Sequence, residues 1–321
     1  MTSLDISKIV DGILKGDTVS ISRAISIVEN DLYSDRALEI LQKIHPHTGR
    51  AHIVGITGPP GVGKSSIIGS LVPILSRKGR RAAIVAIDAS SPFTRGSIMG
   101  NRIRMQENLT RYGTYMRSLS TRGLSGGLSF SALGTAKILD AAGFDTVILE
   151  TVGAGQSDLD IMRLAATVVV VLAPGLGDEI QAIKAGLMEI AHLFVINKSD
   201  REGSFQSIKD IQDILLTAPQ GEWKIPVIGT STITGDGLEE LIQKMDDHSM
   251  VNRSGKDRNR LARNELNLIV ESELMKLASR EMEENDGISE IISQVADGSK
   301  DPFSGSRSII FRITRDIHEE P

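Results

Sequence analysis

Cysteine is absent from all 321 residues, which excludes disulfides, iron–sulfur clusters and thiolate zinc sites and suits a reducing compartment. A cationic excess is missing too. Lys and Arg number 36 against 41 Asp and Glu, a formal net charge of −5, so the chain as a whole has no field to draw in nucleic acid or anionic lipid. The most apolar run, TVVVVLAP at 167–174, is far short of the roughly 20 residues a bilayer span needs and reads as a buried strand. The opening MTSLDISKIVDGILKGD has early acids and no long apolar stretch of the kind a secretory signal carries. No internal repeat is visible, and low complexity is confined to the polar ADGSKDPFSGSRS near the end. These absences lead us to expect a cytoplasmic protein with no nucleic-acid or membrane partner, built around one main core with helical additions.

What is present is a change of period along the chain. SISRAISIVEN and SDRALEILQKI repeat apolar residues at i, i+3, i+4 and i+7, with Asp17 or Thr18 and Ser34 or Asp35 as N-caps, which predicts an N-terminal helical extension over 1–48. From 49 to 250 short apolar runs (AHIVGIT, RAAIVAID, FDTVILE, TVVVVLA, HLFVIN, KIPVIGT) alternate with helical stretches. That is the pattern of an α/β domain whose parallel sheet is covered by helices on both faces. Over 251–321 the chain is charged and helical again. Leu266, Ile269 and Leu274 lie close to one face there, an apolar stripe that its own domain or a second subunit would bury.

Gly58-Pro59-Pro60-Gly61-Val62-Gly63-Lys64-Ser65 fits G-x-x-x-x-G-K-[ST] between a predicted strand and a predicted helix, the P-loop context. Its glycines let successive N–H groups turn toward phosphates, and the helix opening at Lys64, Ser65 and Ser66 adds its positive end. Lys64 would span the β- and γ-phosphates, and the Ser65 hydroxyl would ligate Mg²⁺. Asp88 and Glu150 each end a predicted strand, where ligands gather in parallel sheets. An acid there can serve the Mg²⁺ shell or cap a helix. Gly153 follows Glu150 closely enough for a mobile loop to sense the γ-phosphate through its N–H.

The base is suggested by FVINKSD. Asn197, Lys198 and Asp200 follow a strand, and a carboxylate at that spacing can accept both N1–H and N2–H₂ of guanine, donors that adenine does not offer there. VIGTSTITGDG adds a strand ending in Thr230, Ser231 and Thr232, placed to close over the base. GTP or GDP with Mg²⁺ is the expected occupant.

Between these elements SSPFTRGSIMGNRIRM, STRGLSGGLS, ETVGAGQSDLDI and APGLGDEIQAIKAGLMEIAHLFVINKSD closely resemble the MeaB and ArgK family of GTPases. The human methylmalonic aciduria type A protein is one member. The resemblance covers nearly the whole chain. It implies a Mg²⁺-dependent, usually homodimeric GTPase that serves an adenosylcobalamin-dependent acyl-CoA mutase of the methylmalonyl-CoA mutase type, gating cofactor loading and protecting or reactivating it. It further implies that Lys64, Ser65, Asp88 and Glu150 form the phosphate and magnesium neighbourhood. Lys184, within GDEIQAIKAG, lies on a loop that communicates with the mutase in that family; it would add positive charge to the phosphates or be a solvated helix lysine. Gln156 is a candidate for orienting water or for a loop hydrogen bond. Two other classes share parts of the pattern. A metallochaperone GTPase for metal-centre assembly would ordinarily carry Cys or clustered His, and a kinase associated with amino-acid transport would need an acceptor pocket that no residues here identify.

One position departs from the family. Its members read G-D-[KR]-x-R-M where this chain has Gly100-Asn101-Arg102-Ile103-Arg104-Met105. An amide accepts a hydrogen bond but adds no negative charge and takes no proton. Slow GTP turnover is therefore expected, and Asn101→Asp should raise it. An unchanged or lower rate, measured by phosphate release, would remove the position from the catalytic machinery.

Overall fold

The computed structural model describes residues 6–30, 34–88, 109–120, 127–151, 161–175, 187–217, 222–252 and 255–319. Seven strands, β1 (His52–Thr57), β2 (Ala82–Asp88), β3 (Tyr115–Ser120), β4 (Thr146–Thr151), β5 (Thr167–Leu172), β6 (Leu193–Asn197) and β7 (Val227–Thr230), form one sheet in the order β3-β2-β4-β1-β5-β6-β7. Every neighbouring pair is parallel. β4 and β5 are buried at every residue, which is why they read as unbroken apolar runs rather than as alternation.

Sequence patterning finds six of these strands and misses β3. Its residues, YMRSLS, lack the apolar signal because β3 is an edge strand whose polar side chains reach a helix. The Tyr115 hydroxyl lies 3.1 Å from Ser22 Oγ, and Arg117 Nη2 donates to Glu29 Oε2 at 2.6 Å.

Helices α1 (Ile6–Leu14), α2 (Thr18–Asn30) and α3 (Asp35–Ile44) precede the sheet. Asp17 accepts from Ser20 N at 2.8 Å and Ser34 accepts from Ala37 N at 3.2 Å. These are side-chain caps that satisfy donors left over in a first helical turn. α4 (Lys64–Arg77) follows β1, α5 (Gly127–Ala141) precedes β4, and α6 (Leu187–Ile190), α7 (Ser204–Thr217) and α8 (Leu238–Asn252) come later. A hydrophobic core joins Ile67, Ile68 and Leu71 of α4 and Leu241 and Ile242 of α8 to the sheet. Each such side chain contributes about 1.5–3 kcal/mol when fully buried.

α5 is buried almost all round. One side rests on β2, β3 and β4, and α1, α2 and α3 pack on the other. Its closeness to α2 depends on Gly134, where a Cβ would come within 2.6 Å of Val28. The N-terminal helices thus form a third layer that removes the outer face of α5 from water. Asp140 of α5, also buried, accepts from the backbone N–H groups of Gly49, Arg50 and Ala51 and so fixes the approach to β1.

The chain forms two compact units, Met1–Glu265 and Leu266–Pro321, with the boundary inside α9 (Gly255–Glu284). In the second unit α10 (Asp286–Ala296) and α11 (Pro302–Glu319) pack on each other. They cross closely at Gly305, where a Cβ would lie 2.9 Å from Val295. Leu266, Val270 and Leu274 of α9 and Ile310 and Phe311 of α11 are exposed. Among the described residues no helix is long and apolar enough to cross a membrane.

At the amino ends of the central strands, Thr167 Oγ1 lies 2.7 Å from His52 Nε2 and 2.9 Å from His248 Nδ1. The His248 ring stacks on His192 with centroids 4.2 Å apart, and His192 Nδ1 accepts from Val168 N at 2.9 Å. Burial, followed by the charges of His248 and Arg260, pushes the His192 imidazole down to about 3. The folded protein thus holds it neutral while the unfolded chain protonates it below about 6.5. Between those two values the unfolded state binds more protons, so stability is lost as pH falls, by up to about tenfold in the folding constant per pH unit. The urea midpoint followed by circular dichroism should drop from pH 7 to pH 5, and His192→Asn, whose amide oxygen can replace Nδ1, should flatten that slope. An equal slope in the variant would show that His192 is not its source.

Candidate functional site

The carboxyl ends of β1, β4, β6 and β7 carry the described residues singled out by motif. Leaving β1, the chain turns at Gly58 with φ of 141°, and a Cβ there would sit 2.0 Å from the Val171 carbonyl oxygen of β5. Gly63 caps α4 with φ of 96°, and its missing Cβ would fall 2.4 Å from Asn197 Nδ2. At both positions glycine is required by conformation and by space. No side chain caps the α4 N-terminus, so its first N–H groups face a position suited to an anion.

Lys64 is buried, with Nζ donating to the carbonyl oxygens of Gly58 at 2.6 Å and Pro59 at 2.9 Å. It lies along the inside of the turn. Ser65 Oγ donates to Glu150 Oε1 at 2.5 Å, and Glu150 is itself buried. The hydroxyl and the carboxylate, 85 positions apart in sequence, meet because β1 and β4 are neighbours paired from His52–Thr146 to Ile56–Glu150.

The Asn197–Asp200 segment is fastened to this turn. Asn197 Nδ2 donates to Val62 O at 2.8 Å while its Oδ1 accepts from Thr230 Oγ1 at 3.3 Å. Lys198, with φ of 60°, donates from Nζ to Gly61 O at 2.9 Å. Ser231 Oγ donates to Asp200 Oδ1 at 2.6 Å and accepts from the N–H groups of Ile233 and Thr234 at 3.3 Å. That hydroxyl bond, more than any other influence, holds the Asp200 carboxyl below the usual carboxylate range. The hydroxyls of Thr230 and Ser231 therefore face Asn197 and Asp200. Thr232 is half-buried beside them.

The structure thus brings together Gly58 to Ser66, Glu150, Asn197, Lys198, Asp200 and Thr230 to Thr232. Asp88 ends β2 opposite Ser120 of β3, with its side chain outside the described residues. Asn101, Gly153, Gln156 and Lys184 also lie outside them. Sequence reasoning missed Thr57 and Thr151, a buried hydroxyl pair beneath the turn. Their one signal was a polar residue closing an otherwise apolar strand.

Comparison with known proteins now bears on this geometry. A family model described as methylmalonyl-CoA mutase-associated GTPase MeaB matches residues 21–284. The chain belongs to the MeaB family. A Pyrococcus horikoshii protein named as a GTPase is 42% identical over 316 residues, covering 96% of this chain and 98% of its own. The GTPase ArgK of Escherichia coli is 33% identical over 234 residues, covering 71% of each chain. The mitochondrial methylmalonic aciduria type A homolog of Mus musculus is 31% identical over 262 residues, covering 75% of this chain and 62% of its own. Among solved structures, one named LAO/AO transport system kinase superposes with a TM-score of 0.72 at 22% identity, covering 98% of this chain and 99% of that one, which supports the fold. As a MeaB-family member the chain is a P-loop GTPase.

The Asp200–Ser231 pair yields a test of base recognition. Asp200→Asn replaces an acceptor by a donor, which removes the match to guanine N1–H and N2–H₂ and creates one to the 2-carbonyl of xanthine. GDP affinity should fall by about a hundredfold or more while XDP affinity rises. Calorimetric titration giving the same preference for GDP as the unaltered protein would exclude Asp200 as the reader.

Proposed function

We propose that this GTPase binds GTP with Mg²⁺ and hydrolyses it in the service of an adenosylcobalamin-dependent acyl-CoA mutase of the methylmalonyl-CoA mutase type. In this reading it gates cofactor loading and protects or reactivates the enzyme. The observation that carries the nucleotide half is the anchoring of the guanine-reading segment on the P-loop, Asn197 to Val62 and Lys198 to Gly61, which makes base and phosphate contacts parts of one rigid site. The mutase half is supported by the description of the matching family and by the methylmalonic aciduria type A homolog among the relatives.

The residues fit magnesium, because the Ser65 hydroxyl and the Glu150 carboxylate are hard oxygen donors of the kind that ion selects. When bound, the ion neutralises charge on the phosphate oxygens. Lys64 would exchange its two carbonyl partners for phosphate oxygens, and the N–H groups opening α4 would hold the remaining charge. Glu150, accepting from Ser65, would orient that hydroxyl so that a lone pair faces the ion. Asp88 would complete the metal neighbourhood, and Gly153 would sense the γ-phosphate. Gln156 and Asn101 are assigned to the water, and Lys184 to charge stabilisation when the partner docks.

We assign the exposed stripe of Leu266, Val270 and Leu274 to a homodimer contact. Apolar residues at that spacing share one helical face, and a second copy would take that face out of water. A monomer in sedimentation equilibrium would overturn that assignment.

The decisive measurement is Mg²⁺-dependent phosphate release from GTP, with ATP as control, titrated with a cobalamin-dependent acyl-CoA mutase. A GTP-selective rate that rises and saturates with the mutase is expected. A rate indifferent to the mutase at saturating concentration would remove the chaperone role.

A further inference from the structure

The paired ladder between β1 and β4 runs to Ile56 opposite Glu150, one residue short of the loops that leave both strands. One step further each strand pairs with its other neighbour. Thr57 pairs with Val170 of β5, and Thr151 with Ile87 of β2. The sheet forks here between two central strands, at its carboxyl edge, where ligands enter sheets of this class. Across the fork the Thr151 hydroxyl donates to the Thr57 hydroxyl at 3.0 Å, and both residues are 0% exposed.

We propose that this hydroxyl bridge is a positioning device for GTP hydrolysis, setting the Glu150 end of β4 against the P-loop. The proposal rests on the nucleotide reading of the site. Thr57 immediately precedes Gly58, and Thr151 immediately precedes Val152, so the bridge joins the last strand residues before both loops. Gly58 is already held close to the Val171 carbonyl of β5, which fixes the β1 side of the fork. The β4 side is located by Thr151 and by its neighbour Glu150, whose side chain projects to the opposite face of the strand and accepts from Ser65. Movement of β4 along or away from β1 would change the Ser65–Glu150 contact directly. The bridge resists that movement where the backbone ladder between the strands has ended. Misplacement of reacting groups on the scale of an ångström is costly to the chemical step and much less so to binding. The signature of the bridge is therefore a change in kcat with little change in nucleotide affinity.

Valine keeps the shape of threonine and suits a strand, but a single replacement leaves its partner hydroxyl without that bond. Thr151→Ser keeps the hydroxyl and so keeps the bridge within reach. Stability and catalysis can thus be read separately in Thr57→Val, Thr151→Val, the double variant and Thr151→Ser. The readouts are kcat for GTP, the Kd of a fluorescent GDP analogue and the melting temperature.

Both single variants and the double variant should lose about five- to tenfold in kcat, the worth of one hydrogen bond. Affinity for the GDP analogue should stay within about twofold, since the bridge touches no part of the nucleotide. Thr151→Ser, which keeps the hydroxyl, should retain the rate. A double variant hydrolysing GTP at the unaltered rate would overturn the proposal. So would losses of rate, affinity and melting temperature in step with one another. Absence of GTP hydrolysis in the unaltered protein would instead count against the nucleotide reading, and is seen before any variant is made.

Discussion

The site depends on the contact between the turn after β1 and the segment after β6. Val62 and Gly61 offer their carbonyls to Asn197 and Lys198, and Gly63 leaves the space Asn197 occupies. A phosphate cradle is a run of backbone, and backbone alone does not stay curled. Here two side chains from a strand two places away in the sheet hold it, and the same two side chains begin the base-reading motif. Under the proposed function, phosphate recognition and base recognition form one mechanical unit, and a substitution in either segment is expected to disturb both.

The two ends of the sheet divide the polar work. At the carboxyl ends, buried Lys64, Glu150 and Asn197 reach the turn after β1 or the start of α4. At the amino ends, the Thr167 hydroxyl lies against His248 and His52. The first arrangement keeps charged groups together at a cost in desolvation, as functional sites commonly do. The second uses imidazole rings to finish strand ends. The helices ahead of the sheet serve neither end. They cover α5, a helix that is apolar on nearly every side and could not face water.

Much of this was legible in the sequence because it is local. The turn Gly58–Ser65, the strand end at Glu150 and the Asn197–Asp200 segment declare themselves within a few residues, and the apolar runs of β4 and β5 declare the sheet. What was not legible is set by tertiary pairing. β3 is an edge strand whose Arg117 and Tyr115 answer Glu29 and Ser22 on α2, so its residues resemble a loop. The bond from the Ser231 hydroxyl to Asp200 joins residues 31 positions apart. The Thr57–Thr151 bridge likewise exists only because β1 and β4 are neighbours, which no spacing rule reveals.

The chain's single tryptophan sits in the network at the amino ends. Trp223 donates its indole N–H to the His192 carbonyl at 2.8 Å and meets the His248 ring edge-on. β6 separates it from Asn197 by the length of a five-residue strand, about 16 Å. Its emission therefore reports the packing of histidine rings at the foot of the sheet and carries little direct signal from the nucleotide at the head. Intrinsic fluorescence and nucleotide occupancy are, by construction of the fold, nearly independent channels, so unfolding can be watched optically in one while binding is followed with a labelled nucleotide in the other.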